Sequence, residues 1–391
     1  MNQTVTQNTT PENNIIRTMV RGAYDLQKLR IQMGNRVAGN FRAKLGMNPA
    51  GMSEDELEKE EKKILDRLRD SYRRITDGIV TESGAVDGKF PTAKNFKGDE
   101  LISSWTELVL VDQYMVLLRD EEKHFDRLGK VLTGIPIYDN FLSKVRGCGT
   151  AMAGVILSEI NIHRAEYPSS LWAYAGLDAV YVAEYTDASG KVKQIPAREV
   201  DMHYEETDKE FLAEGKYPVK IISVGRSRRE VCLVDREYVN KDGEQATRRS
   251  ITYNPFLKTK LVGVLGTSFL RSGGSVSVNG EKLGAAKRAA LAKEHGWDGK
   301  GEAEDFLRSK GFTVEVERSE YAAAYYNYKA RLENDPRHKD KSDGHRHAMA
   351  LRYAVKRFLV DLYKEWRKLE GLPVATEYSE GKLGKVHKKA A

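Results

Sequence analysis

The chain has 391 residues, 31% of them charged and 9% aromatic, with a formal net charge of +7. That length supports two or three domains with a sizeable core, and the mild excess of cations favours a polyanionic partner without demanding one. Two cysteines, Cys148 and Cys232, exclude a disulfide framework and a zinc cluster, and no apolar run approaches the length of a membrane span.

Residues 1–14 are polar and rich in Thr and Asn, with no apolar leader-like run, and read as a disordered tail. Residues 15–135 read as a helical region. Its first segment, 15–45, is helical with a break expected near Gly34, and its cations (Arg17, Arg21, Lys28, Arg30, Arg36, Arg42, Lys44) read as a solvated face. Ser53-x-x-Glu56 is a capping box that opens a highly charged helix to about Asp77. A Gly-containing loop then leads to a long helical segment over 99–133. Apolar residues at helical spacing (Leu57, Ile64, Leu68 and Tyr72 in one, Trp105, Leu108, Tyr114 and Leu118 in the other) predict an antiparallel helical pair or coiled coil. The acidic residues are interleaved with Lys and Arg, which is a salt-bridged surface and not a metal site.

Residues 138–271 hold the most informative stretch. Arg146-Gly147-Cys148-Gly149-Thr150 is a Gly-x-Gly turn between two apolar-periodic segments, with Leu142 and Val145 before it and Ala151, Val155, Ile156 and Ile160 after it. Glycine takes positive φ without steric cost. Thr150 is the expected N-cap of the second helix, whose first free N–H groups would point at a phosphate. Lys144 and Arg146 flank the turn. This is the pattern of a helix-hairpin-helix, which holds nucleic-acid backbone without reading bases; a purely structural αα-hairpin is the alternative. Residues 179–253 switch to short strand-like runs (179–186, 191–196, 219–225, 230–239, 248–253), separated by turn signals at Ala188-Ser189-Gly190, Gly215 and Asp242-Gly243. Residues 254–271 are helical again.

Residues 272–318 read as an insertion, with a Gly/Ser loop, a basic helix around Lys282–His295 and a second small helix leading into a strand, FTVEVE. Residues 319–391 form a basic C-terminal helical region. It has an aromatic helix, Tyr321–Leu332, and a last helix from about Gly344 to Glu370, capped by Asp343 or Ser342 and ended by Gly371 and Pro373. Met349, Ala354, Val355, Phe358, Leu359, Leu362, Trp366 and Leu369 are its expected buried stripe, with Arg346, Arg352, Lys356, Lys364 and Arg367 elsewhere on its surface. The excess of cations from Tyr328 onward accounts for the whole net charge. The fold class is therefore mainly α with a small β-containing insert: a helical pair or coiled coil followed by a helix-hairpin-helix domain.

The order of the pieces resembles a known family. After the hairpin come Tyr167-Pro-x-x-Leu-Trp-Ala-Tyr-Ala-Gly-Leu177, then Gly225-Arg226-Ser227-Arg228-Arg229, Ser250-Ile251-Thr252-x-Asn254, a Leu/Val helix ending in Leu270-Arg271, Tyr325-Tyr326 and the basic C-terminal helix. Over about residues 138–367 this is similar to the C-terminal domain of insertion-sequence transposases of the IS-one-ten, IS-one-sixteen and IS-nine-oh-two type, interrupted by inserts at roughly 180–222 and 272–318. The resemblance implies a target read through a structured guide RNA, and strand cleavage by a serine. The family's N-terminal RNase-H-like domain, whose carboxylates hold divalent metal, has no counterpart in residues 1–135. These read as almost all helix, with Asp25 in a helical context.

The resemblance places the family's serine at Ser227, with Ser250 a second candidate. A serine attacking a phosphodiester needs an activating base and neutralisation of the transition-state charge, and Arg226, Arg228 and Arg229 suit the second task. No general base lies beside Ser227 in sequence, so an ordinary loop serine among phosphate-binding arginines is the competing reading. No cofactor is identified. Mg²⁺ would enter only with a carboxylate domain supplied in trans. His338, His345 and His347 lack the spacing of a metal site, and the tyrosines read as core and interface residues.

Residues expected at nucleic-acid backbone are Lys144, Arg146, Gly147, Gly149, Thr150, Arg226, Arg228, Arg229, Lys258, Lys260, Arg271, His345, Arg346, Arg352 and Lys356. The functional expectation is a DNA-binding transposase-family protein acting in DNA recombination, with serine-dependent strand transfer at Ser227. The alternatives are a non-catalytic nucleic-acid-binding relative and a helical scaffold. A helix-hairpin-helix glycosylase is disfavoured, since Asp178 is the one nearby acid and follows the Ala-Gly-Leu turn. Expected partners are DNA, a structured RNA and a second copy of the chain, with no membrane. The expected location is the cytoplasm, on the nucleoid when DNA is bound.

Overall fold

The computed structural model describes residues 11–47, 50–77, 90–186, 190, 192–196, 210–213, 217–225, 233–272, 274–299 and 303–376. The chain divides into two compact units, Met1–Leu132 and Thr133–Ala391, and is mainly helical with small sheets.

In the first unit, α1 (Pro11–Lys44) is one unbroken 34-residue helix. Two expectations are corrected here. Pro11–Asn14, assigned to a disordered tail, are helical, and residues 1–10 lie outside the described residues. Proline suits the first turn because its missing N–H would have no partner there. Gly34 does not break the helix. A Cβ on it would lie 3.1 Å from the Tyr114 ring and 3.3 Å from Leu65, so glycine serves close approach between helices.

α2 (Glu54–Asp77) opens with the expected capping box, Ser53 N–H donating to Glu56 at 3.0 Å and Glu56 N–H to Ser53 Oγ at 3.4 Å. α3 (Trp105–Leu132) runs antiparallel to α1: Gln27 and Arg30 donate to Glu121, while Lys44 meets Glu107 at 2.8 Å. The expected pairing of the second and third helices is corrected accordingly. α1 lies along α3, and α2 packs on both around Val37, Phe41, Ile64, Leu68, Leu108 and Val111. Before α3, Asp99 accepts from the N–H groups of Leu101 (2.9 Å) and Ile102 (2.8 Å), the Ser71 hydroxyl (2.7 Å) and Arg74 (3.0 Å).

The second unit begins with α4 (Pro136–Asn140), a 3-10 turn over Leu142–Lys144 and α5 (Thr150–Glu159). α5 is apolar on every side and buried from Met152 to Glu159, as an all-round hydrophobic helix must be. α6 (Pro168–Tyr174) leads into a four-stranded antiparallel sheet of order β2-β1-β4-β3, made of β1 (Ala179–Thr186), β2 (Val192–Pro196), β3 (Glu210–Ala213) and β4 (Tyr217–Gly225). β5 (Leu233–Val239) and β6 (Gln245–Ile251) form a separate antiparallel hairpin.

A continuous helical run follows, α7 (Pro255–Thr259), a π-helical stretch Lys260–Gly266 and α8 (Thr267–Arg271). The segment after α8 folds as β7 (Gly274–Val278), which corrects the expected Gly/Ser loop, β8 (Glu281–Lys282), α9 (Ala285–Glu294), α10 (Ala303–Ser309) and β9 (Val314–Arg318), with strand order β8-β7-β9. Its own small core contains Val278, Ala292 and Leu307.

α11 (Glu320–Asn334) and α12 (Asp343–Leu369) close the unit. Phe358 of α12 is fully buried among Phe141, Phe269 and Tyr321, with ring centroids 5.5–6.0 Å away. Gly266 lets the π-helical stretch press on α12, where an added Cβ would meet Leu351 at 2.9 Å. The expected stripe of α12 holds at Ala354, Val355, Phe358, Leu359, Leu362 and Trp366 and is corrected at its ends. Met349 is only half-buried and Leu369 is 40% exposed. Arg367, expected on the surface, is buried and donates to the carbonyls of Pro373 (2.6 Å), Ala165 (2.7 Å) and Ile162 (3.2 Å).

Candidate nucleic-acid interface

The hairpin turn after Val145 is built as glycine chemistry requires, but asymmetrically. Gly147 sits at φ +92°, and a Cβ there would meet Ser272 Oγ at 2.8 Å and the Ser268 carbonyl at 2.9 Å. Gly147 thus permits both the turn and its seat on the end of α8. Gly149 has φ −75° and open space around it, so neither conformation nor packing requires glycine. Gly149, not Thr150, is the N-cap of α5, which corrects the expected cap. Thr150 is the first helical residue, and no side chain caps the helix. The Gly149 carbonyl accepts from Met152 and Ala153, both at 3.0 Å, while the N–H groups of Thr150 and Ala151 have no acceptor among the described residues. Lys144 and Arg146 are exposed, with no carboxylate partner among those residues. Because Gly147 rests on Ser268 and Ser272, the exposed Arg271 belongs to the same neighbourhood. Between the two glycines, Cys148 is buried, and burial pushes its thiol up to about 12.

The segments 167–177 and 250–254 meet in space. Asn254 caps α7 through Leu257 N–H (3.0 Å), donates its own N–H to the Tyr174 carbonyl (2.8 Å), and donates Nδ2 to the buried Glu159 at 2.6 Å and to Tyr174 OH at 3.1 Å. Gly176, at φ +67°, stands where a Cβ would be 2.7 Å from the Tyr253 ring. Glu159 is the one carboxylate inside the apolar α5. Nothing in the sequence links Glu159 to Asn254, 95 residues away.

Several predicted contacts are engaged within the fold. Lys258 and Lys260 lie over the rings of Tyr253 (4.9 Å) and Phe256 (5.6 Å). Lys356 lies 4.8 Å from the centre of the Trp172 ring; burial pushes its ammonium down, opposed by Asp178 and reinforced by Arg352. Arg346 donates to the Lys341 carbonyl (2.7 Å) and to Asp343, stapling the start of α12. Arg352 donates to the Ala348 carbonyl at 3.1 Å and is half-buried. His345 is exposed at the same helix start. His347 bonds Tyr325 OH at 2.6 Å and His338 bonds Lys341 at 2.5 Å, so these histidines serve separate partners. Among the described residues no group of three His, Cys, Asp or Glu side chains is placed to hold a metal.

Ser227, Arg226, Arg228 and Arg229 lie outside the described residues. Ser250 is half-buried on β6, opposite Val234, with no hydrogen-bonding carboxylate or histidine among the described residues. No helix of the described residues is long and apolar enough to cross a membrane. Compared with family models, curated proteins and solved structures, the chain matches none of them.

Proposed function

We infer that the second unit is a nucleic-acid-binding module that grips the sugar–phosphate backbone at the Lys144–Thr150 hairpin, and that the protein acts on DNA in recombination of the kind the family resemblance implies. The observation that carries this reading is the hairpin itself. Two exposed cations without a carboxylate partner among the described residues and an uncapped start of the buried α5 stand at a turn that Gly147 permits, with Arg271 on the neighbouring α8. Amide protons there donate to phosphate oxygens and the cations neutralise them. Strand transfer by Ser227 rests on the resemblance alone, and its activating carboxylates would come from another chain.

The test is the salt dependence of binding to a labelled DNA duplex, followed by fluorescence anisotropy. Lys144→Gln with Arg146→Gln should flatten the slope of log K against log salt by about 2, since each phosphate contact contributes roughly 0.9. Lys62→Gln, an exposed cation of the first unit, should leave it unchanged. Identical slopes for the wild type and the hairpin variant would overturn the reading.

A further inference from the structure

The hairpin of β5 and β6 has no apolar face buried among the described residues. Tyr238 is 40% and Val239 64% exposed, and Asp235–Val239 and Thr247–Arg249 are all exposed. An isolated two-stranded hairpin of this kind is marginal in water without something to cover it. Its turn is nevertheless well made: Asn240 Oδ1 accepts from the N–H groups of Asp242 (2.9 Å) and Glu244 (2.8 Å), and Gly243 takes φ +84°.

The strand register separates the charges by face. Arg236 lies directly opposite Arg248 and Tyr238 opposite Ala246, and Ser250 shares that face. The acids Asp235 and Glu237 lie on the other face, opposite Arg249 and Thr247. Like charges directly opposite in an antiparallel pair are destabilising, and neither guanidinium has a carboxylate partner among the described residues. The Arg248 guanidinium is instead held over the Tyr238 ring, 5.0 Å from its centre. Two opposed arginines with an aromatic between strands, on a face without acids, are an arrangement that a polyanion stabilises and water does not.

We propose that the β5–β6 hairpin is a DNA-contacting arm whose Arg236/Arg248/Tyr238 face lies against the phosphate backbone of duplex DNA. The two arginines converge on neighbouring phosphate oxygens, Tyr238 backs the Arg248 plane, and a two-stranded ribbon has the width that the major groove admits. This rests on the nucleic-acid-binding reading above and adds a second contact region to the same unit. Arg236 and Arg248 are equidistant from Asp242, so the Asn240–Glu244 loop centred on that residue brings them face to face.

The experiment compares the full chain with Arg236→Gln/Arg248→Gln and with the opposite-face control Asp235→Asn/Glu237→Gln. Anisotropy is measured on a DNA duplex and on an RNA hairpin, and each variant is melted. The arm variant should melt at or above the wild-type temperature, because a repulsive pair is gone, yet lose about thirtyfold in duplex affinity at 0.15 M salt, with a slope flatter by about 2. The control should not lose affinity. If the Lys144/Arg146 variant loses affinity and the arm variant does not, the arm proposal fails alone. Loss confined to the RNA hairpin, or a change in sedimentation without a change in DNA binding, also overturns it. Absence of wild-type binding at any salt overturns this proposal and the reading beneath it together.

Discussion

Replacing the two glycines of the hairpin one at a time separates what the turn needs from what a ligand would need. Gly147→Ala forces a side chain into φ +92°, which costs about 1–2 kcal/mol for the left-handed backbone alone. The new Cβ also presses on Ser272 Oγ at 2.8 Å and the Ser268 carbonyl at 2.9 Å. That carbonyl cannot retreat freely, since Ser272 N–H donates to it at 2.9 Å, so overpacking adds about 1–3 kcal/mol. At about 2–4 °C per kcal/mol for a unit of this size, the melting temperature should fall by roughly 4–20 °C. Gly149→Ser has neither problem. Its φ of −75° suits serine and nothing lies within 4 Å. Serine caps a helix slightly better than glycine and restricts the unfolded chain, a gain of about 0.5–1 kcal/mol. Yet its hydroxyl takes an N–H of α5 that a phosphate would otherwise receive, so DNA affinity should fall while stability rises. Calorimetry and anisotropy on both variants check this. Equal melting temperatures for the two would refute the packing argument, and tighter DNA binding by Gly149→Ser would refute the use of the α5 amides.

Arg367→Met should destabilise the second unit by about 3 kcal/mol or more in urea titrations, because it leaves buried carbonyls of Ile162 and Ala165 without their charged donor; Arg367→Lys should recover only part, since one ammonium cannot span the three acceptors. In the first unit, burial raises the Asp99 carboxyl, but the N–H of Ile102, the Ser71 hydroxyl, Arg74 and the N–H of Leu101 outweigh it and hold the group at about 2. A carboxylate depressed in the folded state stabilises fully above its unfolded value near 4 and loses that contribution as pH falls through about 2, so about 2 kcal/mol should disappear across that window. Asp99→Asn should flatten the acid limb of a pH-dependent melt; an unchanged limb would contradict the network.

The elements easiest to read in advance were those whose local pattern and tertiary setting agree. Short strand-like runs between turn signals locate β1, β2, β4 and the β5–β6 hairpin. β3 escaped because Glu210–Ala213 is too short to alternate visibly. Gly34 misled for the opposite reason. Local propensity treats a mid-helix glycine as a weak point, whereas the arrival of Tyr114 and Leu65 from distant helices makes the missing side chain an asset. Thr150 was favoured as a cap on side-chain chemistry, but the extended backbone at Gly149 starts the helix one residue earlier.

Cations were the hardest residues to assign, because a sequence shows a charge and not the carbonyl or ring it reaches. Arg367, Arg346 and Lys356 all belong to one basic helix; the sequence places all three on its surface and the last two at a phosphate backbone. One clamps buried carbonyls, one staples a helix start and one lies over Trp172. A basic residue near a helix end or beside an aromatic has partners within its own chain, and net charge overstates the interface by every such residue. The exposed cations of the second unit without a described carboxylate partner include Lys144 and Arg146 at the hairpin, Arg271 on the helix against which Gly147 rests, and Arg236 facing Arg248 on the β-arm. A nucleic-acid surface centred on these residues places its phosphate contacts in the middle of the sequence, away from the C-terminal excess of charge, so removing them should lower the salt slope more than removing the basic tail.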